Sequence, residues 1–333
     1  MSTSVAPVVW IGTREGLLRW QAGTLTPVAG DAAVTALARL PGGRVVAGTA
    51  SGELIEADRG GHPRLRSRLP QRAPIASLLA LHGRDERLLG GTAAGALVEF
   101  GSEGPARAVR FDAPSAPLQV VGVPGRPRSA LLVSAGHGGW LVQDPDRAPE
   151  PWFSAPTAPL LDVTPHPIDG HVWLARTATQ LLRSNDGARS FRPVAGWPAS
   201  LRPRRVAFAP IEPFTAFAIA YPTAEPPDPA DPSPLWTSND GGQSFHPVAS
   251  RLIDHARDPV GEITALAPLA EHERVALLFA TDRGELLRFA AAPSAPQQPA
   301  HLLADRMPPI EHLLAAGTAP LVDPSTSGIF LLP

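Results

Sequence analysis

One octapeptide occurs twice in the chain, as S-N-D-G-A-R-S-F at Ser184–Phe191 and as S-N-D-G-G-Q-S-F at Ser238–Phe245. Each copy follows a strand-like apolar run and leads into Pro-Val. Recurrence of a segment this specific makes the chain a repeat array, which decides the fold class before any single residue is weighed. The local chemistry reads as a tight turn joining two neighbouring strands. Its Asp carboxylate accepts backbone N–H groups just downstream, and its Gly positions tolerate positive φ.

A longer unit surrounds the octapeptide: an apolar strand, a Pro/Gly turn, a second strand, a short loop with Gly, and a third strand of Leu-Leu-Arg type. The two-strand part recurs at Val8–Trp20, Arg44–Glu56, Arg87–Glu99, Leu131–Val142, His171–Arg183 and Val275–Arg288. A degenerate copy, T-A-F-A-I-A-Y then P-L-W-T-S-N-D, is split by the insertion Pro222–Pro234, and an eighth copy ends the chain at Pro320–Pro333. Corresponding positions stand about 36 to 55 residues apart, the period of a four-stranded propeller blade.

Between the hairpins lie V-T-A-L-A-R-L, I-A-S-L-L-A-L, L-Q-V-V-G-V, L-L-D-V-T-P, R-V-A-F-A-P, I-T-A-L-A-P-L and I-E-H-L-L-A-A. Their Ala, Val and Leu content suits innermost strands, where room is short. The segments L-T-P-V, F-R-P-V and F-H-P-V carry Pro, which marks outer edge strands. The expectation is all-β: a single domain, residues 1–333, built as one propeller of four-stranded antiparallel blades. Eight units are counted, which fits seven blades with a terminal overlap or eight blades with thin ends. A ring must close somewhere between the termini, so truncating either end is expected to cost the whole fold.

The octapeptides resemble the Asp-box of BNR-repeat β-propellers, whose usual form is Ser-x-Asp-x-Gly-x-Thr-Trp. Ser184, Asp186, Ser190 and Phe191 fill the family positions in the first copy, with Ala188 in place of the usual Gly. Ser238, Asp240, Gly242, Ser244 and Phe245 fill them in the second. The resemblance implies that these residues brace peripheral turns away from any active centre. It also brings two functional precedents, since the superfamily holds sialidases and other glycosidases and also the photosystem II stability and assembly factor group, non-catalytic rings that hold a partner on an Arg-lined face.

Composition excludes several classes. A formal charge of −2 with 18% charged residues gives no footprint for nucleic acid or a membrane surface. No apolar run reaches a membrane span, and the start lacks the pattern of a signal peptide, so a soluble, cytoplasmic protein is expected. The absence of Cys removes disulfides, thiolate nucleophiles and Cys-metal sites. All 29 basic residues are Arg, which excludes Schiff-base and lysine-nucleophile chemistry; whether that bias is compositional or functional stays open. His166 and His171 do not form a helical metal pair, and neither a phosphate loop nor a dinucleotide fingerprint is present, so no metal and no cofactor are expected.

In a propeller, loops joining second to third strands share one face with the connections between blades. Placing the loops accordingly collects Arg14, Arg72, Arg202, Arg204, Arg205, Arg257, Arg283 and Arg306, interspersed with Asp31, Asp258, Glu262, Asp282 and Asp305. An arginine-rich rim suits carboxylates or acidic protein segments, because the guanidinium fork matches those groups. His137 and Trp140 are placed at the channel mouth on that side, where a small molecule is a further ligand class. The insertion Pro222–Pro234 reads as a stiff acidic arm suited to a groove on another protein, or as a plain variable loop. Two readings stay open: a scaffold or assembly-type propeller binding a protein partner, and a carbohydrate-active propeller, lectin-like or glycosidase. The resemblance to sialidases implies an arginine triad, a Tyr nucleophile with its Glu and an Asp acid; the only Tyr is Tyr221, near Glu225, and the family's Phe-Arg-Ile-Pro motif is absent.

Overall fold

The innermost-strand segments set the architecture, because they are largely apolar and must be covered by a neighbour on either side. The computed structural model describes residues 8–81, 87–101, 105–109, 115–134, 136–143, 146–154, 158–223, 234–248, 262–271, 274–291, 301–304, 307 and 310–316. They form seven four-stranded antiparallel sheets arranged in a ring, a seven-bladed β-propeller. Among the described residues the one helical element is a single 3-10 turn at Pro41–Gly43.

From the axis outward, the second blade runs Val34–Arg39, Val45–Thr49, Glu53–Ala57 and Pro63–Arg68, and the third runs Ile75–Leu81, Arg87–Thr92, Leu97–Phe100 and Arg107–Ala108. The fourth has Leu118–Val123, Arg126–Ser134, Gly138–Val142 and Glu150–Phe153; the fifth has Asp162–Pro165, Trp173–Arg176, Leu181–Ser184 and Arg192–Pro193. The sixth has Leu201–Phe208, Ala216–Pro222, Leu235–Ser238 and His246–Pro247, and the seventh Ile263–Glu271, Arg274–Thr281, Leu286–Ala291 and His301–Ala304.

The first blade closes the ring. Val8–Thr13, Gly16–Gln21 and Thr24–Gly30 are its outer three strands, and Ile310–Ala316 supplies the innermost one, antiparallel to Val8–Thr13 with Val9 opposite Ala315 and Ile11 opposite Leu313. The count is therefore seven with a terminal overlap: I-E-H-L-L-A-A is the inner strand that the first hairpin lacks. The eighth hairpin, Pro320–Pro333, lies outside the described residues.

Neighbouring sheets pack face to face, and their side chains interdigitate. One buried cluster joins the third, fourth and fifth blades through Leu79, Leu89, Val120, Leu132, Val163 and Trp173. Polar side chains on the inner strands supply a second seam. Thr35 Oγ1 donates to the Ile75 carbonyl of the next blade at 2.7 Å, and Ser77 Oγ to the Leu118 carbonyl at 2.8 Å. Gln119 Nε2 reaches the Val163 carbonyl at 3.2 Å, Thr164 Oγ1 the Val206 carbonyl at 3.3 Å, and Arg205 Nε the Thr264 carbonyl at 2.7 Å. From the second blade to the seventh, each inner strand thus bonds to the next. An isolated polar residue in an otherwise apolar inner strand satisfies a carbonyl that the neighbouring blade would otherwise bury unpaired.

Candidate functional site

Strand order divides the ring into two ends. The upper end, where each innermost strand begins, carries the loops between second and third strands and the connections from one blade to the next. Arg14 lies in the Thr13–Gly16 turn, Arg72 in the connection from second to third blade, and Arg283 in the turn after Thr281; all three are exposed at this end. Arg202 and Arg204 open the innermost strand of the sixth blade and are exposed as well. Arg257 and Arg306 lie outside the described residues, as do Asp258 and Asp305. Asp31, Glu262 and Asp282 are exposed at the same end.

Arg205 departs from the expected set. It is 6% exposed, and its guanidinium is held by the Thr264 and Arg204 carbonyls, at 2.7 and 3.2 Å. The cause is a bulge. Strand register shifts between Pro203 and Arg205, so Arg204 is the extra residue, pushed outward, while Arg205 turns into the blade interface. The exposed Arg204 meets Glu262 of the seventh blade at 3.2 Å, and Arg202 donates to the Thr223 carbonyl at 3.0 Å. Arg202 and Arg204 thus project beside the point where the chain departs into the Pro-rich insertion, of which residues 224–233 lie outside the described residues.

Beneath this end sits a buried polar cluster. Asp162, Arg176 and Gln119 are all nearly inaccessible. Gln119 Nε2 donates to Asp162 Oδ1 at 3.3 Å, and Arg176 Nε stands 3.9 Å from Asp162 Oδ2. Burial pushes the Asp162 carboxyl up against the opposing pull of Arg176 and Arg205, and burial lowers the Arg176 guanidinium.

Tyr221 lies at the top of the sixth blade, opposite Arg202, and is half-buried. Its hydroxyl oxygen accepts the Ile263 N–H at 2.6 Å, and burial pushes its ionisation upward. A phenol so placed braces the sixth blade against the seventh, whereas a nucleophile needs a lowered pKa or an adjacent base. Glu225, its suggested partner, lies outside the described residues. The structure places His137 and Trp140 in the second hairpin half of the fourth blade. His137 is exposed in the loop between second and third strands of the fourth blade, and Trp140 lies in the third strand, packed against the core between blades. Among the described residues no group of three or more His, Cys, Asp or Glu is arranged to hold a metal ion.

The two octapeptides form matching turns at the lower end, between third and outermost strands. Asp186 Oδ1 accepts the N–H groups of Arg189 and Ser190 at 3.0 and 2.9 Å, and Oδ2 accepts the Ser190 hydroxyl at 2.6 Å. Asp240 does the same with Gln243 and Ser244. Ser184 and Ser238 close each turn by accepting the N–H of Ala188 and Gly242. Desolvation of Asp240 is outweighed by the bonds from Ser244 and Ser238, which bring its carboxyl down to about 2. Phe191 and Phe245 pack inward, edge-on against Phe153 and Trp197.

The turns are not interchangeable. Gly242 has φ +81°, and a Cβ there would stand 2.9 Å from Leu174 Cδ2, which is fully buried. Ala188 occupies the same position at φ 64° in the first turn. Gly242→Ala is therefore expected to destabilise by about 1–3 kcal/mol, combining left-handed strain with a core clash. A urea midpoint unchanged from wild type would contradict this.

Several arginines that sequence reading did not assign are used structurally. Glu56, 3% exposed, is held by Arg44, Arg64 and Arg66 at 2.8–2.9 Å, and Glu99 by Arg87 and Arg107. The repeated spacing R-V-V-A-G-T…E and R-L-L-G-G-T…E is the signal that marks these pairs.

Solved structures share this fold. The xyloglucanase of glycoside hydrolase family 74 from Xanthomonas campestris superposes with TM-score 0.69 at 17% identity, over 90% of this chain and 52% of its own. The present chain thus spans about half the length of that enzyme. YCF48 bound to a D1 peptide superposes with TM-score 0.61 at 14% identity, over 88% of this chain and 95% of its own. The family 74 enzyme from Niastella koreensis gives 0.55 at 12% identity, over 88% of this chain and 47% of its own. At these identities the likeness establishes the propeller fold, which hosts both catalytic and non-catalytic proteins. No protein-family model matches the chain, and no curated protein matches it in sequence.

Proposed function

We propose that this chain is a non-catalytic, scaffold or assembly-type propeller that binds a protein partner through the upper end of its ring. The carrying observation is that Arg202 and Arg204 stand exposed on the same side of the sixth blade's innermost strand, on an end that also exposes Arg14, Arg72 and Arg283. Guanidinium groups so presented suit the carboxylates of an acidic segment, and the rigid strand beneath fixes their positions. The match to YCF48 over nearly its whole length, bound to a peptide, supports a ring used for peptide or protein binding.

In this reading the two octapeptide turns are Asp-boxes in a structural role. The sialidase-like form of the carbohydrate-active alternative needs an activated Tyr221, and the bond that Tyr221 accepts from Ile263 argues against that form. A cytoplasmic setting accompanies the proposal; among the described residues no helix is long and apolar enough to cross a membrane.

The test is affinity purification from the native host, comparing wild type with Arg202→Glu/Arg204→Glu. A stoichiometric partner present with wild type and absent with the reversal is the expected result. An unchanged partner would remove this face from the reading, and turnover of fluorogenic glycosides lost in Tyr221→Phe would replace the reading with catalysis.

A further inference from the structure

The lower end carries a feature independent of the arginine face. Between the fourth and fifth blades an open groove of about 520 Å³ is lined by Arg126, Trp152, His171, Asn185 and Arg189, with Trp173 beneath. That volume falls in the range of small-ligand sites.

Its polar groups point to one ligand chemistry. The Trp152 indole donates to the Gly187 carbonyl at 2.7 Å, which fixes the ring across the blade interface. Arg189 lies over that ring, 4.6 Å from its centroid, and the indole also packs against the core between blades. The groove thus gains a guanidinium held over the Trp152 ring. Arg126 is exposed on the other side. Neither guanidinium is engaged by a carboxylate among the described residues. Asn185 accepts a bond from Arg183 on Oδ1, which leaves its amide nitrogen as a donor.

One carboxylate, Asp186, belongs to the groove lining and is engaged by its own turn, and Asp169 precedes His171 by two residues. Asp186 takes the hydroxyls of Ser184 and Ser190 and the N–H groups of Arg189 and Ser190. Asp169 accepts the His171 N–H at 2.8 Å. Donors therefore dominate the open edge of the groove, while Val123, Pro124 and the buried Trp173 form an apolar floor. We infer that this groove binds a small molecule carrying a carboxylate or phosphate group on an apolar body, with Arg126 and Arg189 gripping the anion.

The experiment uses the full chain labelled with 5-fluorotryptophan, the Trp152 signal being assigned with Trp152→Phe. Phenyl phosphate, benzoate and inorganic phosphate are titrated separately while fluorine resonances are followed. Saturable displacement of the Trp152 signal by phenyl phosphate or benzoate is expected, and the tighter of the two names the head group. Arg126→Gln and Arg189→Gln should each weaken binding roughly tenfold or more, since charge-assisted bonds are lost. Both residues are exposed, so melting curves of these variants should overlay wild type. The Arg202/Arg204 reversal should leave the titration unchanged, which separates this site from the partner face. The inference is overturned if no probe shifts the signal saturably, if inorganic phosphate binds as tightly as phenyl phosphate, or if binding persists in the Arg126/Arg189 double variant.

Discussion

A chain ending at residue 309 is expected to lose its cooperative unfolding transition. The deletion removes Ile310–Ala316, the innermost strand of the first blade, and leaves Val8–Thr13 as a bare edge. All six residues of Val8–Thr13 are buried in the closed ring, including Val9, Trp10 and Ile11. Exposing large apolar side chains forfeits about 1.5–3 kcal/mol each. Three of them approach the roughly 5–15 kcal/mol of net stability that a folded protein holds. The lost strand ladder adds unpaired backbone groups and an edge open to aggregation. Near-ultraviolet dichroism and urea titration of the truncated chain check the expectation, with a chain ending at residue 316 as the control for the residues beyond. A cooperative transition at the wild-type midpoint in the shorter chain would show that the ring does not depend on this closure.

Adjacent arginines should respond in opposite ways to charge reversal. Arg205→Glu places a carboxylate against the Thr264 carbonyl, in the neighbourhood of Asp162, where Arg205 now donates. An unpaired buried charge costs about 3–5 kcal/mol, enough to lower a melting midpoint by several degrees. Arg204→Glu exchanges an exposed ion pair with Glu262 for a repulsion in solvent and should change stability by less than about 1 kcal/mol. Melting both variants side by side decides the matter. Equal midpoints would mean that Arg205 is not held at the blade interface.

How far the fold could be read from the sequence follows from what each feature depends on. The inner strands were legible because their crowding near the axis selects Ala, Val and Leu locally, and all seven segments named from the sequence overlap innermost strands. Closure was not legible to the same degree. It depends on Ile310–Ala316 pairing with Val8–Thr13 across nearly the whole chain, which no local pattern encodes. Arg202, Arg204 and Arg205 were assigned together to one exposed rim; a bulge divides them, and the register shift that makes the bulge arises between strands. The lower groove left a faint signal, the Arg189 of one octapeptide standing where the other has Gln243. Only pairing Trp152 of the fourth blade with the turn of the fifth gives that difference a meaning.

The central claim is that the upper arginine face holds the partner while the ring beneath is indifferent to that charge. A binding isotherm of the co-purified partner against wild type and Arg202→Glu/Arg204→Glu, with melting curves on the same samples, addresses it directly. The account expects affinity to fall by roughly 100-fold or more, since two charge-assisted contacts become repulsive, with both proteins melting together. Equal affinity for the two proteins at equal stability would contradict it.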